Sequence, residues 1–141
     1  MKFLVLLLAL FSITAQADML GAGVGFGQGS QPSYGADYEF VKSDFSFVAP
    51  YADISIYANK TFVQQYGAIG LQFEKLSFGL AVAATSVNQG NGQYQGQLSF
   101  GPEFGIMQNI TKAIYVKENN SYLDYHGTFN FGSTLSLGLN L

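Results

Sequence analysis

The sequence predicts an all-β fold, an eight-stranded antiparallel up-and-down β-barrel that spans a membrane. Three observations predict it. The last segment alternates: Phe129, Phe131, Leu135, Leu137, Leu139 and Leu141 fall on one face, with Ser133 alone interrupting them. Thr128, Asn130, Gly132, Thr134, Ser136, Gly138 and Asn140 fall on the other. Side chains on a strand change face at every residue, so this is a ribbon with one greasy and one polar side. Charged residues make up 11% of the chain against 48% hydrophobic, roughly half the usual charged share. Seven earlier segments read as strands too, and eight is the smallest, and an even, count for bacterial membrane barrels.

Residues 1–17 belong to export. Lys2 supplies a positive start, Phe3 to Ile13 form an apolar stretch, and Thr14-Ala15-Gln16-Ala17 ends in the small-x-small pattern cut by signal peptidase. The apolar stretch is too short to span a bilayer as a helix, and an uncleaved anchor or a core helix is the alternative to a cleaved signal. A single domain, the barrel, is then expected over residues 18–141. It starts at Asp18, not at the cysteine of a lipoprotein.

No apolar run after Ala17 is long enough for a transmembrane helix. A membrane-embedded chain of this kind must close into a barrel, because open sheet edges in lipid leave backbone groups unsatisfied. The chain has no cysteine, so an exported protein of this size carries no disulfide staple. Arginine is absent, and the lysines after residue 17 are outnumbered by the acids. Nucleic acid is therefore not an expected partner, since phosphate binding needs clustered Lys and Arg. The expected surroundings are outer-membrane lipid, reached by export through the signal peptide.

The elements follow in order. Met19 to Gly27 sets Leu20, Ala22, Val24 and Phe26 against a row of glycines, Gly21, Gly23, Gly25 and Gly27. Gln28 to Ser33 make a loop. The second strand turns Tyr34, Ala36, Tyr38 and Phe40 outward and Asp37 and Glu39 inward, and Lys42-Ser43-Asp44 makes a tight turn. The third strand changes phase: Phe45 and Phe47 occupy one, and Ala52, Ile54 and Ile56 the other. That slip predicts a β-bulge near Ala49-Pro50, a place where proline is tolerated. Asn59-Lys60-Thr61 begins a loop, and the fourth strand carries Gly67, Ile69, Leu71 and Phe73 outward.

Glu74-Lys75 is a two-residue turn into the fifth strand, with Leu76, Phe78, Leu80, Val82 and Ala84 outward. Asn88 to Gly92 is a turn of the Asn-Gly kind. The sixth strand presents Tyr94, Leu98, Phe100, Phe104 and Ile106 outward, and Gln93, Gln95, Gln97, Ser99 and Glu103 inward. Gln108 to Thr111 turn the chain. Lys112 to Lys117 predict a short seventh strand, and Glu118 to His126 the longest loop. The connections sort into two sets: the turns at Lys42–Asp44, Glu74–Lys75 and Gln108–Thr111 fall on the side of the chain ends, and mostly longer loops fall opposite. A soluble lipocalin-like barrel is the rival. Its apolar side chains line a cavity, whereas here the Leu and Phe face would be a very large exposed patch in water.

On this architecture the chain resembles the small eight-stranded outer-membrane proteins of the OmpA and OmpX type, over all of residues 18–141. The resemblance implies that the last strand is read by the barrel-assembly machinery, through alternating apolar residues ending on an aromatic. Leu135, Leu137, Leu139 and Leu141 fit the alternation, and Leu141 departs from the aromatic ending. OmpX-like adhesins raise long strands above the membrane, and the loops here look too short for that.

Five inward residues carry charge: the acids Asp37, Glu39, Asp53 and Glu103, with Lys117 as the expected inward cation. Unpaired carboxylates inside a narrow barrel are costly. They form either a polar plug, satisfied by Gln93, Gln95, Gln97, Tyr57, Tyr66 and Tyr115, or a cation or proton path or a small metal site. The plug is favoured because an eight-stranded barrel is just wide enough to be filled by side chains. The glycines of the first strand leave room for large ones from across the lumen.

His126 is the sole histidine. With Ser121 or Ser133 and Asp124 it has the residue types of a hydrolytic triad. Lipid A deacylases of the PagL type place a His, a Ser and a Glu on the outer face of such a barrel, but here Thr128 stands where their serine follows the histidine. Catalysis at His126 is therefore the alternative reading, and a rim histidine without catalysis the expected one. Gly21-Ala22-Gly23-Val24-Gly25 is explained by strand packing rather than by a dinucleotide loop, since no helix pattern follows. No cofactor or metal is expected. Tyr34, Phe45, Phe47, Phe104, Tyr122 and Tyr125 near strand ends suit an aromatic girdle. The reading that results is a structural or surface-interaction barrel with a filled lumen.

Overall fold

The computed structural model describes residues 17–26, 31–41 and 48–141. Residues 1–16 of the predicted export segment lie outside that range. So do most of the first loop (27–30) and the turn with Phe45 and Phe47 (42–47). Eight antiparallel strands form a closed ring: β1 (Ala17–Phe26), β2 (Ser33–Val41), β3 (Ala49–Ala58), β4 (Phe62–Phe73), β5 (Leu76–Asn88), β6 (Tyr94–Asn109), β7 (Ile114–Tyr125) and β8 (Thr128–Asn140). Each strand pairs with its sequence neighbours, and β1 closes on β8 through pairs such as Leu20↔Leu139 and Val24↔Leu135. Both ends of the ring, Ala17 and Asn140, share one rim with the Glu74–Lys75 turn and the 110–113 connection.

Alternation sorts the wall into two faces. Leu80, Leu98, Phe100, Leu137 and Ile54 stand outward and are more than half exposed, as the lipid-facing belt of a transmembrane barrel requires. Their neighbours in sequence point inward and are buried, among them Ala81, Ser99, Ser136 and Asp53. Phe78 on β5 and Phe104 on β6 pack at 5.1 Å between ring centroids on the outer face, and Tyr34 and Tyr122 are exposed near strand ends. The side chain of Tyr125 is outside the described set.

Three local readings change. β7 is twelve residues long and runs through the segment expected to be the longest loop. Its ladder with β8 continues to Tyr125↔Thr128, leaving only His126 and Gly127 as the turn. The periodicity hides this strand because its outward set is half polar: Ile114, Val116, Glu118, Asn120, Tyr122 and Asp124. Pairing to β6 and β8 on both sides holds it in place instead.

The predicted bulge near Ala49-Pro50 gives way to a continuous ladder, Ala49↔Gln72, Pro50↔Leu71 and Tyr51↔Gly70. Val41, the last residue of β2, lies opposite Tyr51. Pro50 therefore flanks the end of a neighbouring strand, where proline is tolerated.

The hairpin of β5 and β6 also rises higher than expected. The last β6–β7 pair is Phe100↔Asp124, whereas β5 and β6 stay paired up to Asn88↔Tyr94. Residues 89–96 are exposed on both faces, and Tyr94–Ser99 have no strand partner on the β7 side among the described residues. Asn side chains brace the tip, where Gly90 N–H donates to Asn88 Oδ1 at 2.9 Å and Gln93 N–H to Asn91 Oδ1 at 3.0 Å.

Candidate functional site

The four inward acids and Lys117 meet in the middle of the barrel. Each lies on the inward parity of its strand, and each is at least 96% buried: Asp37 and Glu39 on β2, Asp53 on β3, Glu103 on β6 and Lys117 on β7. Strands β3 and β7 stand four places apart in a ring of eight, so Lys117 crosses the full lumen. Its Nζ donates to Asp53 Oδ2 at 2.6 Å and pairs with Glu39 Oε2. Glu39 and Asp53 are directly opposite each other across the β2–β3 ladder. One ammonium therefore answers two adjacent like charges, which neither neighbour could tolerate alone in a dry interior.

Glu103 is satisfied by phenols. Tyr51 on β3 donates its hydroxyl to Glu103 Oε1 at 2.7 Å, and Tyr66 on β4 donates to Oε2. Tyr115 on β7 donates to Asp37 Oδ2 at 3.2 Å. Glycines make room for these rings. A Cβ at Gly70 would lie 2.7 Å from Tyr51 Cε1. A Cβ at Gly21 would lie 2.7 Å from the Tyr115 hydroxyl and 2.8 Å from Asp37 Oδ1. Gly21 on β1, Gly70 on β4 and Gly79 on β5 therefore act as sockets for Tyr115 and Tyr51 from other strands.

Met19, Val41, Tyr51, Ala81, Tyr115 and Leu123 belong to one buried apolar cluster, with Ala49 and Met107 packed against it. The charged layer sits within this packed interior. Beyond it lies a small polar vestibule with a cavity of about 40 Å³, lined by Asp37, Asp53, Ser55, Tyr57, Asn119 and Ser136 among others.

Tyr66 and Tyr115 reach the acids as read from the sequence, while Gln93 and Gln95 do not. Those glutamines lie on the exposed hairpin, where Gln95 accepts from Gln89 Nε2 at 3.0 Å and Gln93 from Asn91 Nδ2 at 3.1 Å. Tyr51 is the residue that the sequence reading passed over. Its parity with Asp53 and Tyr57 marks it as inward, but the expected phase slip at Pro50 obscured that parity.

Of the residues weighed for hydrolysis, Ser121 and Ser133 line the vestibule. His126 is exposed at the tip of the β7–β8 turn. Asp124 Oδ1 accepts from Gly127 N–H at 2.8 Å and so serves the turn. Ser121 shares the inward parity of Lys117 and Leu123, on the other face of the wall from Asp124. Among the described residues, no group of three or more His, Cys, Asp or Glu side chains is arranged to hold a metal.

A closed eight-strand ring with an apolar outer belt and a charged, packed interior defines a small transmembrane β-barrel of the outer-membrane type. Solved structures of that type are similar to it. The N-terminal β-barrel domain of Pseudomonas aeruginosa OprF is 13% identical, with 89% of this chain and 97% of that one covered and a TM-score of 0.59. Neisserial surface protein A is 15% identical, with coverage of 89% and 94% and a TM-score of 0.57. Ail, the attachment invasion locus protein of Yersinia pestis, is 10% identical, with coverage of 89% and 95% and a TM-score of 0.52. No protein-family model and no curated protein matches the sequence. At these identities the likeness is one of fold.

Proposed function

We propose that the chain is a non-catalytic barrel of the bacterial outer membrane, with a closed lumen, that displays the β5–β6 hairpin at the cell surface. The observation that carries this reading is the bridge of Lys117 to Glu39 and, across the full diameter, to Asp53, set among the packed apolar residues of the lumen. Moving an ion through the lumen would require these packed side chains to separate. Lipid surrounds the outer belt, the assembly machinery engages β8, and the rim of the chain ends faces the periplasm.

The hairpin supports an interaction role because the β7-side edge of Tyr94–Ser99 offers backbone groups to an incoming strand. Ail has been crystallised with the heparin analogue sucrose octasulfate. That chemistry is not carried over, because Lys60 is the sole lysine on the described connections of the far rim and the chain has no arginine.

Two measurements test the reading. Planar-bilayer recordings of the refolded protein should show no steady current, and a steady current lost in Glu103→Gln would replace this reading with a conducting one. An epitope inserted between Gly90 and Gly92 should be stained on intact cells, whereas one inserted between Glu74 and Lys75 should not. The reverse pattern would refute the orientation.

A further inference from the structure

We propose that the outer face of β7 is where two copies of this barrel meet within the membrane, with Glu118 of each copy lying against Asn120 of the other. Glu118 stands on the outward parity of its strand and is exposed. Its ladder neighbours are Ile106 on β6 and Leu135 on β8, both exposed on the apolar belt. Asn120, two residues on, is flanked by Phe104 on β6. Val116 lies toward the chain ends, and Tyr122 and Phe131 lie toward the far rim. The pair therefore sits inside the belt and not at its margin. Away from the rims, Glu118 is the sole charged residue on the outward parity of the described strands.

Depth sharpens the point. A membrane-crossing strand spends about 9–11 residues in the hydrocarbon, and β7 has 12. Glu118 and Asn120 are the fifth and seventh of them, counted from Ile114, so both lie near mid-depth. Acyl chains offer neither donor nor acceptor, and a carboxyl group facing them there is destabilising. Asn120 Nδ2 donates to Glu118 Oε1 at 3.2 Å. That bond uses one carboxylate oxygen and one amide hydrogen. The pair keeps a further acceptor oxygen and a further amide hydrogen.

These remaining groups select the partner. An acceptor beside a donor is self-complementary, since a two-fold axis between them sets Glu118 of one copy against Asn120 of the other and repeats the contact in reverse. All inserted copies share one orientation and one depth, so that axis runs along the membrane normal. Because the strands of such barrels tilt by about 35–45°, Glu118 and Asn120 stand to either side of it. Val116, Ile106, Phe104 and Leu135 surround the polar pair and supply the apolar part of the contact. A soluble partner at the cell surface does not reach mid-depth, and lipid does not answer a carboxyl group. A second copy does both.

The test uses the full barrel refolded in phosphatidylcholine bilayers. The chain has no cysteine, so one introduced thiol marks one place on the wall. Val116→Cys lies beside Glu118 on the outer face of β7, and Ile54→Cys lies on β3, four places away around the ring. A short bis-maleimide should link Val116→Cys copies into dimers and leave Ile54→Cys copies single. Adding Glu118→Leu/Asn120→Leu to Val116→Cys should abolish the dimer, whereas adding Glu118→Gln, which still accepts, should retain it. No linking at Val116→Cys overturns the proposal, as does equal linking at both positions or linking unaffected by the leucines. Linking of Val116→Cys to a different protein in native outer membranes, with none between copies, overturns it too and assigns the face to that protein. Should the double leucine variant fail the heat-shift assay for folding, Asn120→Leu alone gives the same reading.

Discussion

The hydroxyl of Tyr51 on β3 meets Glu103 Oε1 on β6 at 2.7 Å, with the tyrosine ring lying over Gly70 on β4. Tyr51→Phe keeps the ring and removes the donor, leaving a buried carboxylate oxygen unmatched. It should cost about 1–3 kcal/mol. Gly70→Val should be worse, because its Cβ would run into the Phe78 carbonyl oxygen and the Gly79 backbone of β5 as well as the Tyr51 ring. The chain has no tryptophan, so circular dichroism or cold gel mobility during urea unfolding is the suitable readout. Equal stability of Tyr51→Phe and the unmutated barrel would contradict the bond.

Removing Lys117 tests the bridge. Lys117→Met leaves Glu39 and Asp53 facing each other without a counter-charge and should destabilise the barrel by about 3–5 kcal/mol. The triple variant Lys117→Met/Glu39→Gln/Asp53→Asn removes all three charges and should regain most of that loss. A triple variant as unstable as the single one would mean that the methionine's packing, not the stranded charge, is responsible.

The two faces of β8 should respond differently to one substitution. Leu137 is 57% exposed on the outer belt, and Leu137→Lys should cost about 2–4 kcal/mol, as a lysine near the bilayer midplane does. Ser136→Lys enters the vestibule beside Asp37 and should be milder. Equal tolerance at both positions would refute the assigned faces.

The turn at His126 predicts a conformational role. His126 has φ of +49° and Gly127 of +81°, the pattern of a two-residue hairpin that favours Asn-Gly. Gly127→Ala should cost about 1 kcal/mol, whereas His126→Asn should leave stability equal or slightly raised. Lipid A isolated from cells expressing His126→Asn should match that from cells expressing the unmutated protein. A change in its acyl pattern would restore the catalytic alternative.

Most of the wall was legible because lipid outside and packed polar groups inside impose opposite demands on alternate residues. That logic fails on β7, where Glu118, Asn120 and Asp124 face outward and Asn120 Nδ2 donates to Glu118 Oε1 at 3.2 Å. Neighbouring strands supply the information that β7 lacks. The inward acids were legible from parity alone. Their pairing was not, since Lys117 and Asp53 are brought together only by closing the ring, which leaves no local trace in either strand. The height of the β5–β6 hairpin escaped for a related reason. It is set by where β7 stops, and not by the hairpin's own Gln-rich sequence.

Lys117 lies on the next-to-last strand, and its two acids on the second and third. Any sheet that has not yet curled shut holds Glu39 and Asp53 apart from their cation, with water as their only relief. Drying of the interior and joining of the edges are therefore one event. The Lys117 bridge can form only when the edges of the sheet have joined.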